Sequence, residues 1–285
     1  MPKTYNDIYF SVRNKLRENG VEAFSLEARI LLAAAAGKTT EQLMRDMYLY
    51  TSPEIEERAH SMIERRLQGE PLAYISGSWE FYGLPMTVTP DVLIPRMDTE
   101  ILVDAAIDAI KGFGMKGRVL DLCCGSGCIA CALGHELPAT KLVAVDISAN
   151  ALEIARENFA SNRLGSRAIC IQADATSSPP MSIGQFDMIV SNPPYIASAE
   201  IMTLDASVRD YEPIWALDGG EDGYRFYKAI IKYWKSLLRP GGFLLFEVGE
   251  GQAATVKDML SSAGFRAVGS RLDTLNIERV VIGKM

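Results

Sequence analysis

The sequence predicts an α/β protein: a doubly wound, mostly parallel sheet preceded by a small N-terminal helical bundle and a β-hairpin connector. Two observations carry that expectation. From Arg118 onward, short apolar and β-branched runs alternate with segments of helical periodicity, the signature of consecutive βα units. Residues 1–70 are instead rich in helix formers and hold no strand-like run.

In that first part, apolar residues recur at helical spacing in YNDIYFSVRNKL and in SLEARILLAAAAG, and Gly37 stops the second segment. Residues 40–47 read as a short helix, and PEIEERAHSMIERRLQG as a longer one, with Ser52 as its cap, Pro53 in its first turn and Gly69 at its close. We expect a helical domain over 1–70. From Pro71, LAYISGSWEFYGLPMTVTP breaks into short pieces between Gly and Pro, which predicts one or two hairpins and a connector over 71–97. The remaining domain, 98–285, begins with a helix over 99–110 and the strand RVLDLC. A helix over 127–136, the strand KLVAVD, a helix over 148–162 and the strands AICIQAD and FDMIVS follow. After a loop-rich stretch come a helix over 223–238, the turn RPGG, the strand FLLFEV and a helix over 252–263. Closing strands near 265–271 and 277–282 bring the sheet to seven.

The 285 residues, 48% hydrophobic and 23% charged, suffice for two soluble domains or one large domain with an appendage. Apolar stretches such as 30–36 are far too short to cross a bilayer. The opening MPKTYNDIYF lacks the layout of a secretory signal, and five cysteines are too sparse for a disulfide scaffold, so we expect a cytoplasmic protein. A net charge of -7 argues against stable binding of a nucleic-acid backbone. Residues 1–80 carry ten Lys and Arg against twelve Asp and Glu, so no basic arm hides there, although a local basic patch stays open.

LDLCCGSGCIA places Asp121 at a strand end, then Gly125-Ser126-Gly127, then a helix start. Glycines there let the backbone turn sharply and approach a ligand that a side chain would exclude. Gly125-x-Gly127-x-x-Ala130 also fits a dinucleotide fingerprint, and Asp146 closes the next strand about 20 residues on, where an acid that accepts from ribose hydroxyls is expected. The loop thus indicates a nucleotide-like ligand without saying which, against the competing reading of a tight turn. Asp146 as a mere helix cap is the weaker account, because Ser148 already serves that purpose. Asp174, one strand further along, or the adjoining Ala175 backbone could read an adenine amine; a plain turn aspartate fits as well. Cys123, Cys124, Cys128 and Cys131 run across a strand end, a loop and a helix, a poor spacing for zinc, and they read better as small residues packing a tight loop.

FDMIVSNPPY ends a buried strand at Asn192-Pro193-Pro194-Tyr195. In a doubly wound sheet the fourth strand lies beside the first, so Asn192 is expected to open onto the same crevice as Gly125. Proline after Asn192 keeps the asparagine extended, and two prolines fix the following carbonyls. The Asn192 side-chain oxygen and the Pro193 carbonyl make a preorganised pair of acceptors for an NH2 group, and Tyr195 can pack flat against a planar amide or base. An ordinary loop is the alternative.

Together the DLCCGSG loop, Asp146 and the Asn192-Pro193-Pro194-Tyr195 corner resemble class I S-adenosylmethionine-dependent methyltransferases that modify an amino group on a planar system. The helical N-terminal part, IPRMDTE, ALDGGEDGYRFYK and RPGGFLLFEVGEGQ resemble, across nearly the whole chain, the peptide chain release factor glutamine methyltransferases. Two positions depart from that pattern: Cys123 stands where the family usually has glycine, and Met97 where proline is usual. The resemblance implies a Rossmann-like methyltransferase sheet and S-adenosyl-L-methionine as cofactor, held by Asp121, Cys123, Cys124, Gly125, Ser126, Gly127, Asp146, Asp174, Ala175 and Asn192. It implies methylation of the Gly-Gly-Gln glutamine of release factors, with Asn192, Pro193 and Tyr195 catalytic and Pro194 and Leu93 beside the substrate. IPRMDTE then lies across the cofactor with Leu93 and Pro95 as an apolar wall, or else its Arg96, Thr99 and Glu100 merely anchor the connector; Glu247 has no assigned role. An adenine amino-methyltransferase, a nicotinamide-dependent oxidoreductase using the Gly125 loop and a non-catalytic module that binds a translation factor are the rival readings. The first lacks a basic recognition domain, the second leaves the corner unexplained, and the third leaves the glycine loop, Asp146 and Asn192 without purpose.

Overall fold

The computed structural model describes residues 2–112 and 117–285. The chain forms two compact units, Met1–Ser78 with Asp205–Tyr211, and Trp79–Leu204 with Glu212–Met285.

In the first unit α1 (Tyr5–Glu18), α2 (Phe24–Ala36), α3 (Thr40–Arg45), α4 (Pro53–Leu67) and α5 (Leu72–Ser76) gather around buried Leu16, Leu31, Leu32, Leu43 and Ile63. Capping boxes open α1 (Thr4 with Asp7) and α3 (Thr39 with Gln42), and Gly37, in the left-handed region at φ 64°, ends α2. Ser52 has the extended backbone of a cap residue, but its side chain makes no capping hydrogen bond, so Pro53 carries the start of α4. The stretch LAYIS, expected in a hairpin, is helical. Tyr74 and Ile75 donate back to the Pro71 carbonyl, and Ile75 is buried in the helical core, so tertiary burial overrides its β-branched and aromatic character.

In the second unit a two-stranded hairpin, β1 (Ser78–Phe81) and β2 (Leu84–Thr87), turns on Tyr82 (φ 54°) and Gly83 (φ 69°), a two-residue connection whose twist suits paired strands. After α6 (Asp98–Gly112) come β3 (Arg118–Leu122), α7 (Cys128–Glu136), β4 (Lys141–Asp146), α8 (Ala149–Ser161), β5 (Ala168–Gln172) and β6 (Phe186–Ser191). The chain continues through α9 (Ala206–Arg209, in the first unit), α10 (Arg225–Tyr233), β7 (Leu238–Glu247), α11 (Ala253–Ser262), β8 (Arg266–Leu272) and β9 (Glu278–Lys284). The seven-stranded sheet has the order β5-β4-β3-β6-β7-β9-β8, parallel except for β9. The helix expected over 223–238 is shorter and finishes as a 3-10 turn, and RPGG lies within β7 as an irregular stretch opposite β6 rather than as a free turn.

Strand order reverses between β3 and β6, and Leu122 is in register with Ser191. Cys123 and Asn192 therefore leave the sheet side by side at the carboxyl edge, where ligands of open α/β sheets bind.

Candidate active site

The turn after β3 holds three residues in the left-handed region within five positions: Cys123 (φ 59°), Gly125 (51°) and Gly127 (75°). That reversal sends the chain from a buried strand straight into α7. Glycine adopts such angles freely, whereas Cys123 is strained there, the physical reason a glycine suits that position better. The two glycines serve different ends. A Cβ on Gly125 would meet no protein atom within 4 Å, so its bare backbone faces open space. A Cβ on Gly127 would lie 2.8 Å from the Phe159 ring and 3.1 Å from Ala155 Cβ, so this residue lets α7 approach α8.

Asp121 is fully buried and does not line the cavity described below. Its Oδ2 accepts from the Ala130 N–H at 3.2 Å, which holds the first turns of α7, while Oδ1 has no partner. Burial pushes its carboxyl up to about 8. Cys124, Cys128 and Cys131 are buried as well, and burial raises their thiols, that of Cys128 to about 12, which makes them packing groups rather than nucleophiles. Among the described residues no group of His, Cys, Asp and Glu is arranged to hold a metal.

Asp146 ends β4 with Oδ2 accepting from the Gly125 N–H at 2.9 Å and Oδ1 from the Ser148 N–H at 3.0 Å. Each oxygen keeps a further lone pair for a ligand. Burial raises the carboxyl above its ordinary value, against these backbone hydrogen bonds. Ser148 caps α8 by accepting from the Ala151 N–H. Asp174 is occupied with its own turn, accepting from the Thr176 N–H and hydroxyl, both at 2.7 Å, and from the Ser177 hydroxyl at 3.1 Å. Burial pushes it up, but these donors bring it below the usual carboxylate range.

At the other side of the switch point, the Asn192 amide donates from Nδ2 to Thr99 Oγ1 at 3.1 Å. Its Oδ1 is left as the acceptor. Tyr195 is turned out of the cavity: its hydroxyl reaches Glu247 Oε1 at 3.5 Å and its carbonyl accepts from Gln252 Nε2 at 2.9 Å. Burial, then the Glu247 charge, raises the Tyr195 phenol. Glycines of the later loop close over this corner, since a Cβ on Gly219 would sit 2.7 Å from Tyr195 Cα and one on Gly223 2.6 Å from its carbonyl oxygen.

A cavity of about 390 Å³ runs along this edge. Of the residues expected at the site, Leu93, Cys123, Cys124, Gly125, Ser126, Asp146, Asp174, Ala175, Asn192 and Pro194 line it, while Asp121, Gly127, Pro193 and Tyr195 do not, Pro193 joining the two lining residues Asn192 and Pro194. Pro95, Arg96 and Thr99 line it too, while Met97 is 82% exposed and Glu100 accepts from the Tyr82 N–H of the hairpin, so the segment both borders the cavity and anchors the connector. Sequence reasoning missed the opposite side, built by Ile214, Trp215, Arg225 and Phe226. It also missed Glu212, buried in the same segment, which accepts from the Ile94 N–H at 3.2 Å and pairs with Arg96. The signal available was YEPIW, an apolar pair beside an acid in a glycine-rich loop.

Two family models match the chain, the Methyltransferase small domain over residues 97–207 and the PrmC N-terminal domain over 10–77. Among solved structures, the hMettl16 catalytic domain superposes with a TM-score of 0.57 at 18% identity, covering 80% of this chain and 81% of that one, which speaks to the fold alone. The release factor glutamine methyltransferase of Caulobacter vibrioides is 36% identical over 99% of this chain and 97% of its own. That of Geobacter sulfurreducens is 41% identical over 96% of this chain and 94% of its own. Likeness of this degree, running through the helical unit as well as the sheet, makes the chain a member of the release factor glutamine methyltransferase family.

Proposed function

We propose that the chain transfers a methyl group from S-adenosyl-L-methionine to the side-chain amide nitrogen of the glutamine in the Gly-Gly-Gln motif of peptide chain release factors, in the cytoplasm. The observation that carries the reading is the Asn192 amide, tied through its nitrogen to Thr99 so that its oxygen is the free acceptor at the cavity wall. The cavity suits a nucleoside carrying an amino acid. Gly125 offers bare backbone, Asp146 retains lone pairs for hydroxyls, and buried Ser126 Oγ has no hydrogen-bond partner beyond the weak Cys128 thiol. When bound, the cofactor supplies an electrophilic methyl on a sulfonium centre.

An amide nitrogen is a poor nucleophile because its lone pair is delocalised into the carbonyl. Asn192 Oδ1 and the Pro193 carbonyl would accept its two N–H bonds, orient the nitrogen and favour the positive charge that grows on it. These dipoles are held beforehand by the Thr99 hydrogen bond and by the proline-stiffened backbone. Leu93, Pro95 and Pro194 keep the surroundings apolar. No strong base is needed, since the alkylated nitrogen is acidic enough to release a proton to water. Tyr195 serves here as a buttress of the corner, through Glu247 and Gln252. The helical unit is assigned the grip on the factor outside its modified tip, because one glutamine offers too little contact for specificity. Among the described residues no helix is long and apolar enough to cross a membrane.

The test is methyl transfer from labelled S-adenosylmethionine to a purified release factor, to its Gly-Gly-Gln→Gly-Gly-Ala variant and to an adenine-containing DNA duplex. Label on the intact factor alone is the expected result. Label on DNA would keep the Asn192 chemistry and replace the substrate, and label on neither would sink the reading.

A further inference from the structure

Asn158, in α8, is fully buried, and both hydrogens of its amide are used. Oδ1 accepts from the Thr87 N–H at 2.7 Å, while Nδ2 donates to the Thr87 carbonyl at 3.0 Å and to the Ser126 carbonyl at 2.9 Å. A backbone N–H can only donate and a carbonyl can only accept, so these three partners leave the amide a single orientation. Thr87 is the last residue of β2, and Ser126, which lines the cavity, stands between the two glycines of the turn after β3. One side chain thus joins the connector hairpin to the wall of the cavity.

We propose that Asn158 is a positioning residue which fixes the Ser126–Gly127 peptide, and with it the shape of the turn that receives the cofactor. This rests on the proposed binding of S-adenosyl-L-methionine at that turn. The Ser126 carbonyl and the Gly127 N–H are the two ends of one peptide unit. Asn158 holds the first end, and the Cys124 carbonyl accepts from the second at 2.8 Å. Asp146, which precedes α8, takes the Gly125 N–H. Tied at these points, the turn keeps its left-handed angles at Gly125 and Gly127 before a ligand arrives, so binding has less ordering to supply. Without the Asn158 amide the buried Ser126 carbonyl loses this donor, and the peptide is driven to turn towards another.

The same helix holds the connector at two further points. Asn150 Nδ2 donates to Asp91 Oδ1 at 2.9 Å, and Asn162 Nδ2, just past the helix end, donates to the Pro85 carbonyl at 3.0 Å. Among the described residues, Asn158 is the one of these three asparagines whose amide also hydrogen-bonds the turn. That difference separates a brace of the cofactor turn from a side chain that serves stability alone.

The test sets Asn158→Asp beside Asn162→Ala in the full chain. The aspartate keeps the size and the acceptor of asparagine but sets oxygen where two carbonyls need hydrogen. Asn162→Ala removes a hairpin contact and leaves the Ser126 hydrogen bond in place, so it is the control for stability. The first readout is the Kd for S-adenosylmethionine by calorimetry, expected to rise ~10-fold or more in Asn158→Asp and to keep the wild-type value in Asn162→Ala. The second is backbone hydrogen exchange at Cys124, Gly125 and Gly127 in the ligand-free protein, where each N–H is hydrogen-bonded. Relative to the amides of α11, exchange there is expected to speed up in Asn158→Asp and not in Asn162→Ala. Asn158→Ser, which shortens the reach without adding a charge, carries the same expectations should the aspartate variant fail to fold. A folded Asn158 variant with unchanged exchange in the turn, one that matches the Kd of a wild type that binds, or an equal rise of Kd in Asn162→Ala would each overturn the proposal. Wild-type protein that binds no S-adenosylmethionine, while exchange in the turn still speeds up in the Asn158 variant alone, would overturn the cofactor and keep the brace.

Discussion

The turn after β3 and the corner after β6 leave the sheet at adjacent positions, yet they are shaped by opposite means. The turn is made by leaving atoms out: Gly125 exposes backbone to the cavity and Gly127 lets two helices close up. The corner is made by putting contacts in, with Asn192 held by Thr99 and Tyr195 held by Gln252 and Glu247, from three separate elements. A turn of the first kind can be built by a local sequence. One of the second kind depends on the whole sheet being assembled, and damage to it should show in chemistry before it shows in ligand binding.

The sharpest way to break this contrast is Asn192→Ala beside Gly125→Ala. We expect the first to lower kcat by ~100-fold or more with cofactor affinity largely kept, since one preorganised acceptor is lost. The second should raise the Kd for S-adenosylmethionine, because the added methyl points into open space that the ligand would use. Its effect on stability should be limited to the left-handed backbone, about 1–2 kcal/mol in urea unfolding. The reverse assignment, kcat lost in Gly125→Ala and affinity lost in Asn192→Ala, would contradict the division of labour.

Gly127→Ala sharpens the difference between the two glycines. Its Cβ would meet the Phe159 ring at 2.8 Å in addition to the backbone strain, so a loss of about 2–4 kcal/mol is expected, well above that of Gly125→Ala. Denaturant midpoints of the two variants measured side by side decide this. Equal losses would mean that the contact with Phe159 relaxes freely.

The smallest effect concerns Asp121, which supports the turn from behind. Its folded carboxyl sits at about 8 against an ordinary value of 3.8, so the native state binds the extra proton between those limits. The stability it contributes is full below about pH 4 and is lost as pH rises to about 8, with a slope of at most about 1.4 kcal/mol per pH unit. Glu247 acts in the same direction up to about 7. Asp121→Asn should therefore flatten, without abolishing, the decline in unfolding free energy between pH 5 and pH 8; an unchanged slope would show that Asp121 ionises freely.

Much of the fold was legible in advance because apolar periodicity is local: each βα unit announces itself by a strand-length run and a helix-length one. The turn was legible for the same reason, as two glycines and an acid one strand later suffice to name it. LAYIS misled because its residues favour strands on a half-buried surface, while its place against the helical core was set by distant contacts. For Tyr195, the local sequence offered an aromatic ring at a corner but not the partner of its hydroxyl, Glu247, which is 52 residues away in the chain.

By itself, the sequence determined the order of strands and helices, the left-handed turn at Gly125 and Gly127 and the extended Asn192-Pro193 corner. Each is a property of backbone angles that glycine and proline impose on their own neighbours. Only the tertiary structure decided which way the Asn192 amide points, that Glu212 ties down the segment at Ile94 and Arg96, and that Ile214 and Trp215 wall the cavity. Thr99 and Asn192 are 93 residues apart, and no periodicity or local propensity encodes a hydrogen bond across that distance until the sheet has brought α6 and the end of β6 together.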